Sequence, residues 1–426
     1  MKRLVIALLL ARVFSIMNAQ VESIITCPGE DCATQVNVSW AAMEEGTCVE
    51  YALASWPEAL SYARPSCENQ CFTFDSISSK RPNGENFIET PVFIKCGATL
   101  SGLTPGTDYL YRIIRDDGTP ASEVYSFRTA PAAGQEWSCC IISDFHNYTP
   151  LPGRTRAAMD MLGQVEKYDP SIDWVLHLGD VCAWGGSWSF WVDLYKHPYF
   201  SKYMWAGLNG NHDNMSRGYE KCTSDFFRDA NYVPRNGYKG QEGVCYHFRY
   251  GNAMFVMLNN EEMRDSTGFD TAAQWLRKVV TDARRGSNPP RYVIVCEHYQ
   301  WFNGVNGKTS QYGRWSKIFD ELGVDLALSG NNHIYARTDC LYNGKETDGT
   351  RGTVYVQTPS ADNERGQDMD SVLTYNQDLI KYRFTEGGKT VGALSMKVND
   401  RRISLTLLDR NGTHLDTVEV KAKEIQ

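Results

Sequence analysis

The residues best suited to chemistry stand at the ends of short apolar runs. Ile141-Ile142-Ser143 leads into Asp144-Phe145-His146, and Val175-Leu176-His177-Leu178 leads into Gly179-Asp180. Leu208 leads into Asn209-Gly210-Asn211-His212-Asp213, Val295-Cys296 into Glu297-His298, and Leu326 to Ser329 into Gly330-Asn331-Asn332-His333. Carboxylate, imidazole and carbonyl oxygen are the donors that hold Zn, Fe, Mn, Mg and related ions. Asp144 and His146 are two residues apart, so on extended backbone both can point the same way. One Asp or His at a strand end is usually a cap, a turn or a satisfied polar group. Repetition at successive strand ends argues instead for a shared metal site. A centre of two ions needs a carboxylate that bridges positions about 3.5–4 Å apart. Asp180 is the natural bridge. His177, His197, His247 and His414 lack this setting and read as ordinary histidines.

Stepping outward, the elements that must position these residues follow from hydrophobic period. Runs rich in Val, Ile and Leu and stopped by Gly read as buried strands. Between them lie amphipathic stretches with helical spacing. Arg154 to Lys167 carries Ala157, Ala158, Met161, Leu162 and Val165; Trp188 to Tyr195 carries an aromatic stripe. Thr271 to Ala283 carries Ala272, Trp275, Leu276 and Val279, and Arg314 to Leu322 is a shorter helix. This alternation predicts a layered α/β sheet with its chemistry at the carboxyl ends of the strands. Tyr246–Tyr250 and Ala253–Leu258, split by Gly251-Asn252, read as an appended hairpin. Beyond His333, Thr353–Gln357, Gly392–Val398 and Ile403–Leu408 read as a second sheet of the same domain. The polar stretch from Ser360 to Asp378 reads as a loop over the site.

Upstream, residues to about Pro131 read as all-β. Gln35–Trp40, Cys48–Leu53, Val92–Leu100, Tyr109–Ile114 and Tyr125–Thr129 are short strands. Turn signals such as Leu103-Thr104-Pro105-Gly106-Thr107 separate them. Such a series predicts a fibronectin- or immunoglobulin-like sandwich, joined to the α/β region by Ala130-Pro131-Ala132-Ala133-Gly134.

A net charge of −8 argues against binding nucleic-acid polymers. Residues 1–19 read as a secretory signal, or alternatively as a short membrane anchor. With the signal cleaved, the expectation is a secreted, periplasmic or cell-surface protein that does not engage a membrane. Thirteen cysteines suit that compartment. Cys27, Cys32, Cys48, Cys67, Cys71 and Cys96 could form three disulfides of open connectivity, and Cys222 with Cys245 another. Cys139, Cys140, Cys182 and Cys296 read as small buried hydrophobes. Asn37, Asn147, Asn214 and Asn411 stand in Asn-x-Ser/Thr sequons; Asn147 and Asn214 sit so close to the ligand candidates that they read as chance matches. Trp184, Trp188, Trp191, Trp301 and Phe302 could stack on a nucleoside or sugar, but core packing is the better reading of each.

The blocks Asp144-Phe145-His146, Gly179-Asp180, Gly210-Asn211-His212-Asp213, His298 and Gly330-Asn331-Asn332-His333 resemble those of the calcineurin-like metallophosphoesterases, over about Trp137 to Arg337. The β region resembles the N-terminal domain of purple acid phosphatases, on Leu103–Thr107 and Tyr125–Pro131. The resemblance implies a mixed α+β, α/β fold. A fibronectin-III-like sandwich over 20–131 would precede a four-layer α/β/β/α metallophosphoesterase domain over 136–426. It implies two divalent or mixed-valence ions (Fe, Zn, Mn or Mg) and an exported hydrolase of small phosphate mono- or diesters. The reaction would be in-line attack by a metal-bound hydroxide. The first ion would take Asp144, His146, Asp180 and His333; the second would take Asp180, Asn211, His298 and Asn331. His212 would serve the leaving oxygen as acid, its ring oriented by Asp213.

Two positions depart from the family pattern. Ala183 stands where purple acid phosphatases carry the Tyr that ligates ferric iron, so the purple colour is not expected. Asn331 stands where the last block has an imidazole, so the second site is expected to be weaker or to take a harder ion. Two alternatives accompany the phosphoesterase reading: a nucleotide or sugar-phosphate hydrolase, and a binding protein whose phosphoesterase fold has lost activity.

Overall fold

Alternation along the strands sets the layers. In Tyr292–Glu297, Tyr292, Ile294 and Cys296 enter one apolar cluster while Val293 and Val295 enter another. Ala253–Leu258 divides in the same way, Phe255 and Met257 against Met254, Val256 and Leu258. Both faces are buried, which is why these strands read as continuous apolar runs. The computed structural model that shows this describes residues 21–71, 79–80, 86–87, 92–215, 225–302, 311–362, 377–383 and 391–424.

Two large sheets share the central cluster. In one, Trp137–Ile142, Ile172–His177 and Met204–Gly207 run parallel, with Gly392–Val398 antiparallel at the other side of Trp137–Ile142. In the other, Ala253–Leu258, Tyr292–Glu297, Leu326–Ser329 and Val354–Gln357 run parallel. The helix Gly153–Tyr168 lays Ala158, Met161, Leu162 and Val165 on the first sheet. Ser266–Arg285 and Tyr312–Leu322 pack together over the outer face of the second. The Asp265 carboxylate caps the longer helix by accepting from the Gly268 N–H at 2.7 Å. The expected helix, sheet, sheet, helix layering is therefore present.

The upstream strands form the expected sandwich. Thr47–Leu53, Trp56–Ala63, Asp108–Arg115 and Tyr125–Arg128 make one sheet, and Val36, Val38, Trp40, Val49, Tyr111 and Phe127 meet in its core. The other sheet, however, does not stop at a linker. Val21–Pro28 pairs antiparallel with Gln35–Ala42 and parallel with Met204–Gly207, Thr26 opposite Met204. One ten-stranded sheet thus runs from the sandwich into the α/β region. Val21–Pro28 is buried along almost its whole length and has no clean period-two alternation, so its pairing was not legible locally.

The strands beyond His333 correct the sequence reading. They do not make a sheet of their own: Val354–Gln357 joins the second sheet, while Gly392–Val398, Arg402–Asp409 and His414–Lys421 extend the first. An apolar pattern specifies a buried strand but not which edge it extends.

The cysteine expectation also changes. The described cysteines are free thiols, among them buried Cys27 and Cys32 and half-buried Cys48. Cys67 and Cys96 face each other across paired strands with their sulfurs 2.7 Å apart. The Cys71 side chain and Cys222 lie outside the described residues, so the Cys222–Cys245 pairing does too. Cys139, Cys140, Cys182 and Cys296 are fully buried, and burial pushes their thiols up, consistent with a packing role. The N-terminal signal also lies outside the described residues, and no described helix is long and apolar enough to cross a membrane.

Candidate metal centre

The ligand candidates leave their strands at the carboxyl ends, five of the seven on backbone that ordinary residues rarely adopt. Asp144, His146, Asp180, Asn331 and His333 have positive φ of 55°, 47°, 51°, 68° and 60°. Such conformations cost of order 1–3 kcal/mol each and persist only where surrounding structure over-determines them. The neighbouring glycines are required by close approach. A Cβ on Gly179, itself at φ 94°, would lie 2.5 Å from His298 Nδ1, and one on Gly210 would collide with the Asp180 carboxylate.

These turns bring the distant side chains together. Asp144, His146 and His333 present ligand atoms within 4.8 Å of one another; so do Asp144, Asp180 and His298, and so do His146, Asp180 and His212. The two Asp180 oxygens diverge: Oδ2 is 3.3 Å from His146 Nε2, and Oδ1 is 3.3 Å from His298 Nε2. His333 Nε2 stands 3.5 Å from Asp144 Oδ1.

The imidazoles are aimed by backbone. His146 Nδ1 is 2.8 Å from the Asp144 carbonyl and His298 Nδ1 is 2.7 Å from the Leu178 carbonyl. A carbonyl can only accept, so each Nδ1 carries hydrogen and each Nε2 is the ring atom left facing the carboxylates. Both Nε2 atoms and Asn211 Oδ1 are buried without hydrogen-bond partners. Orphaned ligand-type atoms beside buried carboxylates are what a cation site leaves when nothing else satisfies them.

The electrostatics agree. Burial pushes the His146 imidazole down to about 3 against the opposing pull of Asp180, so it is neutral, as a ligand must be. Burial also works against charge on His298, but the Asp180 and Asp144 carboxylates overcome it and raise the ring to about 10. Burial opposes ionisation of Asp180 as well, yet His298 and His212 hold it well below the usual carboxylate range. Two carboxylates here demand a positive partner, and a proton on His298 takes the place a cation would fill. The donor set therefore fits metal ions.

One expected role changes. Asp213 does not touch the His212 ring. Its carboxylate accepts from the backbone N–H of Asp180, Cys182 and Gly210 at 2.8, 2.9 and 3.0 Å, clasping two site loops together. Burial, with the Asp180 charge second, pushes its carboxyl up to about 7. The His212 ring is oriented instead by the Ala183 carbonyl, 2.7 Å from Nδ1. A carboxylate beside a histidine in sequence invites the pairing, but the turn sends the two side chains apart.

Asn331 roots itself by donating its backbone N–H to both Asp144 oxygens, at 3.1 and 3.0 Å. Its side-chain nitrogen donates to Gln300 Oε1 at 2.5 Å. Gln300, Ser143 and Ser360 escaped the sequence reading. Ser143 Oγ donates to Asp144 Oδ2 at 2.5 Å, and Ser360 Oγ to the Asp144 carbonyl at 2.7 Å. No local signal marks them, except that Ser143 precedes a ligand candidate and Gln300 follows His298 by two. Ser360 opens the polar stretch expected over the site, most of which lies outside the described residues.

The aromatic residues divide. Trp188, Trp191, Trp301 and Phe302 are buried in the core, Trp188 stacked on Phe93 at 4.2 Å. Half-buried Trp184 lies beside the His212 ring, centroids 5.2 Å apart. His177 is buried, which pushes its imidazole down to about 3. Asn147 and Asn214 are buried, as is Asn37; Asn411 is exposed in a turn.

Comparison with known proteins gives the same two regions. Residues 139–335 match the family model for calcineurin-like phosphoesterases, and residues 21–129 match that for the purple acid phosphatase N-terminal domain. An uncharacterized protein of Mycobacterium tuberculosis is 29% identical over 306 residues, covering 63% of this chain and 55% of the relative. Purple acid phosphatase 15 of Arabidopsis thaliana is 21% identical over 277 residues, covering 57% of this chain and 49% of the relative. The chain spans about half the length of the curated relatives it matches. The structure of a purple acid phosphatase from yellow lupin (Lupinus luteus) seeds superposes with a TM-score of 0.71 at 17% identity, over 95% of this chain and 75% of that one.

Proposed function

We propose that this chain, which belongs to the calcineurin-like phosphoesterases and carries a purple acid phosphatase N-terminal domain, hydrolyses small phosphate mono- or diesters with two metal ions. The observation that carries this reading is Asp180, whose oxygens each face the unpartnered Nε2 of a different buried histidine. Asp144, His146, Asp180 and His333 would hold one ion; Asp180, Asn211, His298 and Asn331 would hold the other. When bound, such ions supply Lewis acidity toward a phosphoryl oxygen and acidify a water. Because the Ala183 carbonyl takes the His212 Nδ1–H, Nε2 is the atom that exchanges a proton with the leaving oxygen. Asp213 acts on the loops rather than on that proton. With Ala183 in place of a tyrosine, the loaded protein lacks the purple tyrosinate-to-iron colour.

Trp184 beside His212 supports a second reading within this class, in which an aromatic substituent such as a nucleobase packs next to the leaving group. Export is a further part of the proposal. In an oxidising compartment Cys67 and Cys96 would close into a disulfide, and Asn411 is the exposed sequon.

Metal analysis of the purified protein, joined to a panel of phosphate esters, tests the reading. Two ions per chain and turnover of at least one ester are expected. One ion and no hydrolysis would favour a binding protein instead.

A further inference from the structure

We infer that the buried turn Asn259-Asn260 is a brace that sets the spacing of Asn211 and His298 around the second ion, with Asn260 the positioning residue for the His298 imidazole. This inference rests on the two-ion reading. The two ligands come from different sheets. Asn211 follows Met204–Gly207 of the ten-stranded sheet, and His298 follows Tyr292–Glu297 of the seven-stranded one. Among the described residues no backbone ladder joins these two sheets. Contacts made beyond the strand ends therefore fix how far apart the ligands stand.

Ala253–Leu258 runs out beside His298, its last ladder pair being Leu258 with Glu297. Past that pair the Asn260 side chain continues the support. Its Nδ2 donates to Glu297 Oε2 at 3.0 Å, and its Oδ1 accepts the Tyr299 N–H at 2.7 Å. One amide thus holds the residues on either side of His298. Its direction is fixed by its partners, since a backbone N–H can only donate and so faces the oxygen. Trp315 Nε1 donates to the same Glu297 oxygen at 3.0 Å. The His298 ring is aimed by the Leu178 carbonyl, and the chain that carries the ring is held by Asn260.

Asn259 reaches the other way. Its Oδ1 accepts from Asn209 Nδ2 at 2.9 Å, two residues ahead of Asn211, and its Nδ2 donates to Gln241 Oε1 at 2.9 Å. Asn209, Asn259, Asn260 and Glu297 are all buried, where leaving a polar group unmade is costly. Asn259 Oδ1 also takes the Glu261 N–H at 3.3 Å, an ordinary helix cap. A cap asks nothing of Asn260, however, and both ends of that amide go to the neighbours of His298.

The test is calorimetric titration of the metal-stripped full chain with Mn²⁺, with thermal melting to monitor the fold. Asn260→Leu removes both hydrogen bonds at similar volume. It should weaken the second Mn²⁺ by ~10- to 100-fold, the usual cost of losing a residue that orients a ligand, with the first unchanged. Asn260→Ala is read in the same way should the leucine variant not fold. Trp315→Phe strips the other hydrogen bond from Glu297 and leaves Tyr299 alone, so it should cost far less. A second readout needs no metal. In the ¹⁵N-histidine-labelled, metal-stripped chain the His298 signals, assigned by their loss in His298→Ala, should shift in Asn260→Leu while those of His146 stay. Unchanged affinity for the second Mn²⁺ overturns the inference. So does an equal loss at both ions, or an equal loss in Trp315→Phe, either of which would mean general loosening. A wild-type chain that binds a single ion overturns the two-ion reading instead, and the brace then stands or falls on the His298 signals.

Discussion

The sandwich closes most of its buried polar groups into pairs, Ser23 Oγ and Tyr111 Oη excepted, whereas the metal centre leaves ligand-type atoms open. In the sandwich, Trp40 Nε1 donates to Thr47 Oγ1 at 3.0 Å, and Asn37 is bonded at both ends of its amide. Arg112 grips Glu50 through two nitrogens at 2.9 and 2.6 Å. Around Asp180, three ligand-type atoms have no partner, and five of the seven non-glycine residues with positive φ among the described residues are ligand candidates. Apolar packing and closed pairs stabilise the first region. Strain and open valences, held in place by the strands beneath, prepare the second for a cation. Stability and reactivity have been separated in space although one sheet runs through both.

The sharpest way to break that contrast is Asp180→Asn. It should reduce ester hydrolysis to background and abolish two-ion binding while leaving the circular dichroism spectrum intact; an active, fully loaded variant would remove Asp180 from the bridging role. Next, His212→Ala should lower kcat by ~10²- to 10⁴-fold, the usual range for a lost general acid, with the metal count unchanged in the same preparation. Loss of metal together with activity would make His212 a ligand instead.

On the sandwich side the expected signature is reversed. Leu100 is fully buried in that core, so Leu100→Ala should cost about 2–5 kcal/mol in urea unfolding, with kcat of the folded fraction unaltered. A matching fall in kcat at full folding would show that the shared sheet transmits strain to the site.

The smallest effect concerns Lys95, buried with its ammonium on Ser39 Oγ. Burial pushes its pKa down to about 8, from an unfolded value near ~10.4. Between those values the unfolded chain binds a proton that the folded chain does not, so stability contributed by this residue rises with pH across that window. The melting temperature of wild type relative to Lys95→Met should therefore climb from pH 8 toward pH 10. A flat difference would mean that Lys95 is not desolvated.

Much of the site was legible because it is written at strand ends. Asp144, His146, Asp180, His298 and His333 each follow an apolar run, and the structure brings their ligand atoms together; Asn211, which follows another, has its side-chain oxygen buried and unpartnered. What was not legible is the supporting shell. His212 and Asp213 are adjacent in sequence yet serve different partners, a carbonyl at Ala183 and three backbone N–H groups. Gln300 and Ser360 carry no pattern of their own and gain a role only from Asn331 and Asp144.

The division has one physical cause. Period, turn chemistry and donor type are properties of a few neighbouring residues, so the chain by itself determined the strands, the helices and the kind of chemistry their ends can do. Which edge Val21–Pro28 and Gly392–Val398 join, and which way each amide and imidazole is turned, depends on hydrogen bonds between residues far apart in the chain. Those partners meet only when the sheets have closed on one another, and the tertiary structure alone decided them.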